Sequence, residues 1–167
     1  MLSKKMLAAL NKQLNAELYS SYLYLSMAAW LEGQNLKGIA QWMRVQAKEE
    51  HGHAMKFFDY VVDRMAEVSL GAVEAPPGSW ASPLAAFEDT CKHEAKVTGL
   101  IHALADQAAA EKDHATGVFL QWFISEQVEE EATANEILGK LQAIGDSVGG
   151  LHVLDHHLGK RGEKSAD

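Results

Sequence analysis

The chain has three prolines, Pro76, Pro77 and Pro83, and all of them lie in one short region. Proline removes a backbone donor and clashes with the preceding helical turn. Its confinement leaves the first 63 residues and the stretch from 84 to 144 free of that kind of helix breaker. Apolar residues recur at a period near 3.6 through both stretches, and no run alternates as a half-buried strand does. The sequence therefore predicts an all-α fold. Helix α1 is placed at about 4–32, ended by Gly33, and α2 at about 36–64. A connection rich in glycine and proline follows at 65–82. Ser82 is the expected N-cap of α3, with Pro83 at its first position, where the missing N–H costs nothing. Helix α3 then runs to about 110, and α4 covers about 114–144 and stops at Gly145. A short amphipathic α5 occupies about 150–158, and the polar tail from 159 to 167 is expected to fray.

Short links join α1 to α2 and α3 to α4, so each pair is read as an antiparallel hairpin. A helix of about 28 residues is ~42 Å long at ~1.5 Å per residue. The 18 residues of the long connection cover that length at up to ~3.3 Å each. The topology is thus up-down, crossover, down-up: a four-helix bundle with a long second connection and a short fifth helix. It is read as one domain over residues 1–167.

Charge and cysteine content narrow the function. The net charge is -8, the reverse of what neutralising nucleic-acid phosphates requires. No apolar run approaches the ~18 residues of a membrane span. The N-terminal apolar stretch is interrupted by Asn11, Lys12 and Gln13, so a signal peptide is not expected. One cysteine, Cys91, excludes an intrachain disulfide and fits a reducing cytoplasm.

The inward stripes carry an anomaly. On α1 the stripe is Leu10, Leu14, Glu17, Ser21, Tyr24, Ala28 and Leu31. On α2 it is Ile39, Met43, Gln46, Glu50, His53, Phe57 and Tyr60. On α3 it is Phe87, Cys91, Glu94, Thr98, Ile101 and Ala105, and on α4 Leu120, Phe123, Gln127, Glu130, Ala134, Ile137 and Leu141. Each is apolar at both ends and acidic near its middle. A buried carboxylate costs on the order of several kcal/mol unless something compensates it. Height is an independent test. Glu17 and Glu50 lie at similar distances from the α1–α2 turn, and Glu94 and Glu130 at similar distances from the α3–α4 turn, so each pair meets across its hairpin. Glu50 and His53 form an E-x-x-H pair, whose spacing puts both side chains on one helix face. Carboxylates with one imidazole and no sulfur suit Fe(II), Mn(II) or Zn(II). A Glu from each of two helices plus Glu-x-x-His motifs on the others is the ligand plan of di-iron carboxylate bundles. Here Gln127-x-x-Glu130 stands in place of the second such motif, so the second metal is expected to be held more weakly.

The segments NAELYSSYLYLSMAAW, AKEEHGHAMKFFDY, KHEAKVT and FLQWFISEQVEEE resemble those of bacterial non-haem ferritins, and the resemblance extends from about Leu7 to Leu158. It implies a ferritin-like fold and residue roles. Glu17, Glu50 and His53 would bind a first iron, with Glu50 bridging, and Glu94 and Glu130 would complete a second. Gln127 would act either as a direct ligand or as an amide beside one. Glu49, Glu126 and Glu129, sharing Glu130, match a third iron site. Tyr24 and Trp122 match aromatic residues near the metals that supply electrons. The implied activity is a ferroxidase: Fe(II) is oxidised by dioxygen or hydrogen peroxide, and ferric mineral is stored inside a homo-oligomeric shell of 24 subunits. Leu151, Leu154 and Leu158 of α5 would pack around its four-fold axes. The sequence names no reductase for release.

Departures from the family's patterns also inform. Gly52 stands where bacterioferritins carry a haem-binding methionine, so haem is not expected. Gly117 and Leu120 stand where animal heavy chains line their three-fold channels with acid, so iron entry by that route is not implied. Plainer readings also fit several of these residues. Tyr24 and Trp122 also suit packing, Glu49, Glu126 and Glu129 also suit a solvated face, and Cys91 is read as a small core residue. His51, His93, His102 and His114 are read as surface or supporting groups. His152, His156 and His157 are read as surface or pore-lining. The main alternative, a rubrerythrin-like di-iron peroxidase or oxidase, would carry two Glu-x-x-His motifs and a C-x-x-C module, and this chain has one motif and one cysteine.

Overall fold

The computed structural model describes residues 1–161. Five helices follow in order: α1 Lys4–Gly33, α2 Lys37–Asp63, α3 Pro83–Glu111, α4 His114–Ile144 and α5 Val148–Leu158. The bundle is all-α, as the periodicity required, and four of the five starts have a local cause. Ser3 Oγ accepts from Met6 N at 2.9 Å, and Ser82 Oγ from Ala85 N at 3.0 Å with Pro83 behind it. Asp113 caps α4 through Thr116 N. Ser147 Oγ accepts from Gly150 N at 3.1 Å, which starts α5 two residues before the expected position. Helix α2 has no such cap of its own. Its N-terminus is capped from outside the helix: Asp155 on α5 accepts from Ile39 N at 2.8 Å.

Gly145 ends α4 as expected, at φ 54, whereas the stop of α1 differs from expectation. Gly33 is the last helical residue of α1, and the left-handed residue that turns the chain is Asn35, at φ 59. Leu36 N returns to Leu31 O and Asn35 N to Glu32 O, closing the last turn. Met65 and Lys112 do the same after α2 and α3.

Side-chain contacts fix the topology. Tyr24 meets Glu94, and Ser3 meets Glu111, so α1 and α3 run antiparallel. Gln46 meets Glu130, and Tyr60 meets Thr116, so α2 and α4 do too. The connection climbs alongside α1: Asn11 donates to Glu67 O, Asn15 to Ala72 O and Ser26 to Pro77 O. The core divides into two apolar clusters. One gathers Met27, Leu31, Ile39, Met43, Phe87, Ile137 and Leu141 near the α1–α2 turn, and α5 adds Leu154 and Leu158 to it. The other gathers Met6, Leu10, Leu14, Phe57, Ile101, Leu120 and Phe123 at the opposite end. Each such side chain contributes roughly 1.5–3 kcal/mol when fully buried. Between the clusters lies a polar layer.

The expected stripe on α4 is buried along its whole length. On α3 the buried face is turned slightly, toward Thr90, Val97, Leu104 and Ala108, which leaves Cys91, Thr98 and Ala105 half-buried. Cys91 is thus at the edge of the core, and burial raises its thiol pKa. Of the tail expected to fray, residues 162–167 lie outside the described residues, and Arg161 is tied to α2.

Candidate metal centre

The polar layer consists of the acidic residues that interrupt the four stripes. Glu17, Glu50, Glu94 and Glu130 are each at most 8% exposed, although carboxylates belong in water. One carboxylate oxygen each from Glu17 and Glu50 and a ring nitrogen of His53 lie within 4.8 Å of one another. Oxygens of Glu50, Glu94 and Glu130 form a second such group, so Glu50 belongs to both. A third group joins His53, Glu126 and Glu130. His53 Nδ1 stands 3.3 Å from Glu50 Oε2, the contact that the E-x-x-H spacing implied.

Neutral donors hold the oxygens in place. Gln13 Nε2 donates to Glu17 Oε1 at 2.8 Å. Gln46 Nε2 donates to Glu50 Oε1 at 3.1 Å and to Glu130 Oε2 at 2.7 Å, bridging α2 to α4. The Tyr24 hydroxyl, fully buried, donates to Glu94 Oε1. Gln127 Nε2 lies 3.2 Å from both Glu94 Oε2 and Thr98 Oγ1, and Thr98 in turn donates to Glu131. Among the described residues, no lysine or arginine bonds any of the four carboxylates. The donors orient the negative charge and leave it uncompensated.

The electrostatic consequence is large. Burial, then repulsion from Glu50, pushes Glu17 up to about 8. Burial, then Glu94, pushes Glu130 to about 7. Burial and the facing Glu94 and Glu130 carry Glu50 well above the carboxylate range, and burial raises Glu94 as well. Without a cation the cluster therefore holds protons that the unfolded chain releases above its ordinary value of ~4.3. A folded pKa raised in this way stabilises below that value, and the contribution is lost as pH rises toward about 8. A divalent cation bound there would replace those protons. Calorimetry in buffers of differing ionisation enthalpy is expected to find more protons released per Zn(II) at about pH 6 than at about pH 9. Release that does not vary with pH would contradict the proton-filled cluster.

The other sequence candidates fall into distinct places. Glu126 approaches His53 Nε2 at 3.9 Å. Glu129 is exposed and belongs to none of the three groups, and Glu49 is ion-paired with Arg161. The proposed third set is thus only partly assembled. Trp122 is 41% exposed, with its ring edge-on to His53 at 5.3 Å and Lys56 over its face. His93 is not a surface group. It packs between Tyr19 and Tyr24, 2.7 Å from Ser20 Oγ, and burial lowers it to about 4. His51, His102, His114, His152, His156 and His157 are exposed. Residue type alone gives Gln13 and Gln46 no role, although each stands four residues before a cluster glutamate, a spacing that places them on the same helix face.

This arrangement is matched by sequence. The ferritin-like domain model covers residues 7–144. The chain belongs to the ferritin family. This ferritin is 44% identical to the bacterial non-heme ferritin of Bacteroides fragilis strain 638R over 161 residues, 96% of this chain and 100% of that protein. It is 40% identical to the bacterial non-heme ferritin of Staphylococcus aureus strain MRSA252, over 96% of this chain and 97% of that one. Among solved structures, an open-pore ferritin from the archaeon Archaeoglobus fulgidus superposes with a TM-score of 0.95 at 54% identity, over 96% and 98% of the two chains. No helix among the described residues is long and apolar enough to cross a membrane.

Proposed function

We propose that this ferritin stores iron and is itself the ferroxidase that oxidises it. Fe(II) enters as a substrate pair, one ion held by Glu17, Glu50 and His53 and the other by Glu50, Glu94 and Glu130. The single observation that carries this reading is the convergence of four buried carboxylates, one from each long helix, with neutral donors and, among the described residues, no lysine or arginine partner. Such a cluster requires cations to be fully ionised at neutral pH.

Two ferrous ions sharing Glu50 deliver two electrons together. Dioxygen with two protons then goes to hydrogen peroxide, or hydrogen peroxide with two protons to water, as two Fe(II) become Fe(III). The chain's own work is orientation. Gln13, Gln46 and Gln127 fix the carboxylate oxygens, and Tyr24 holds Glu94. Gln127 acts here as an orienting amide. Tyr24 and Trp122 stand close enough to the cluster to donate an electron when only one Fe(II) is present. Ferric product leaves past Glu126, Glu129 and Glu49 into a cavity enclosed by 24 copies, with α5 contributing to their contacts.

Anaerobic loading with Fe(II), admission of air and size-exclusion chromatography test this reading. Ferric iron is expected to co-migrate with a particle near twenty-four times 18.3 kDa. A small oligomer that consumes peroxide and keeps no iron would favour a peroxidase instead.

A further inference from the structure

Arg161, three residues past the end of α5, reaches back to α2 and closes on three groups. Its guanidinium donates to Gln46 Oε1 at 2.8 Å and to Glu49 Oε2 at 2.5 Å, and lies 4.5 Å from the centre of the Trp42 ring. The far end of Gln46 donates to Glu50 and Glu130. One arginine therefore joins the segment after α5 to the carboxylate cluster through one amide, and also neutralises the acidic neighbour of Glu50. Glu126, by contrast, meets His53 and Glu130 without a lysine or arginine partner among the described residues.

We propose that Arg161 is a latch that withholds Glu49 from cations beside the di-iron cluster, and that an arriving cation displaces it. The proposal rests on reading Glu49, Glu126, Glu129 and Glu130 as a third cation site. The guanidinium occupies Glu49 Oε2 and repels a second positive charge brought to the same carboxylate, so guanidinium and metal compete for it. The competition is winnable. The Glu49 and Arg161 side chains are 43% and 25% exposed, and an ion pair so open to water is weak and reversible. Release also frees the carbonyl end of Gln46, whose amide orients Glu50 and Glu130. Filling of the third site is thereby coupled to the ligands of the pair. Residues 159–161 are then part of the iron path.

The test is calorimetric titration of the assembled full-length protein with Zn(II), which is redox-inert, resolving the third ion per chain. Arg161→Ala is expected to tighten that third ion about fivefold, since it removes one exposed competitor. Arg161→Lys, which keeps the charge but not the two-pronged geometry, is expected to fall between. Glu49→Gln is expected to remove the third ion, and to make Arg161→Ala silent in the same chain. Hydrogen exchange at 159–161 is expected to accelerate when the third Zn(II) binds, and to be fast throughout in Arg161→Ala. If Arg161→Ala leaves the third affinity unchanged while Glu49→Gln abolishes it, the latch is wrong and the third site stands. If Glu49→Gln leaves the number of bound ions unchanged, the third-site reading and the latch fall together.

Discussion

Glu50→Gln is expected to slow Fe(II) oxidation by at least about a hundredfold, since losing groups that merely orient a metal ligand already costs ~10–100-fold. Glu50 is the residue common to the Glu17–Glu50–His53 and Glu50–Glu94–Glu130 groups, so its amide replacement removes the shared ligand from the two positions at once. The same substitution should leave the metal-free protein intact. Burial and the facing Glu94 and Glu130 raise the Glu50 carboxyl well above the carboxylate range, which favours its neutral form, and glutamine is nearly isosteric with a neutral carboxylic acid. Thermal stability without metal is then expected to stay within about 1 kcal/mol of wild type, the net worth of one hydrogen bond. Stabilisation by saturating Zn(II) is expected to shrink sharply. Stopped-flow oxidation and calorimetry read the two effects separately. Rapid oxidation persisting in Glu50→Gln would take Glu50 out of the chemistry. Collapse of the metal-free protein would show that the carboxylate is structural.

Gly38→Ala is expected to detach α5 from the bundle. A methyl group at Gly38 would meet the Asp155 carbonyl oxygen at 1.8 Å, and both Asp155 O and the Gly38 backbone belong to rigid helices. No rotamer change relieves that overlap. Detachment exposes Leu154 and Leu158, each worth roughly 1.5–3 kcal/mol when buried. It also uncaps α2, because Asp155 Oδ1 no longer accepts from Ile39 N, at a cost of ~1 kcal/mol. The four long helices keep their two apolar clusters, so the expected result is loss of hydrogen-exchange protection confined to 148–158 and the first turn of α2. If α5 helps to hold the 24 copies together, native mass spectrometry will also show smaller particles. Gly52→Ala is the control. Nothing lies within 4 Å of the added methyl, and alanine gains up to about 1 kcal/mol of helix propensity over glycine. Equal behaviour of the two variants would contradict the packing of α5 on α2.

The bundle was legible because its signals are local and repeated. Proline confinement, 3.6-residue periodicity and the Ser82–Pro83 start each specify structure without distant partners. The four carboxylates were legible for a related reason: in antiparallel hairpins, distance from the turn translates directly into height, and a charge in an apolar stripe stands out. Orientation within α3 was less accessible. A stripe read at heptad-like spacing placed Cys91 and Thr98 inward, whereas the helix turns Thr90 and Val97 to the core. Gly33 drew attention as a stop, but Asn35 also tolerates the left-handed region, and it made the turn. Gln13 and Gln46 passed as ordinary polar residues because an amide's role depends on what it faces. Arg161 was the least readable. It follows Lys160 in a polar stretch, and its partners on α2 are more than a hundred residues away in sequence.

The account is tested most directly by anomalous diffraction at the iron edge from crystals soaked anaerobically in ferrous salt. Two peaks per chain are expected, one among Glu17, Glu50 and His53 and the other among Glu50, Glu94 and Glu130, with Glu50 touching both. Absence of iron between the four helices, with those side chains turned outward to solvent, would contradict it.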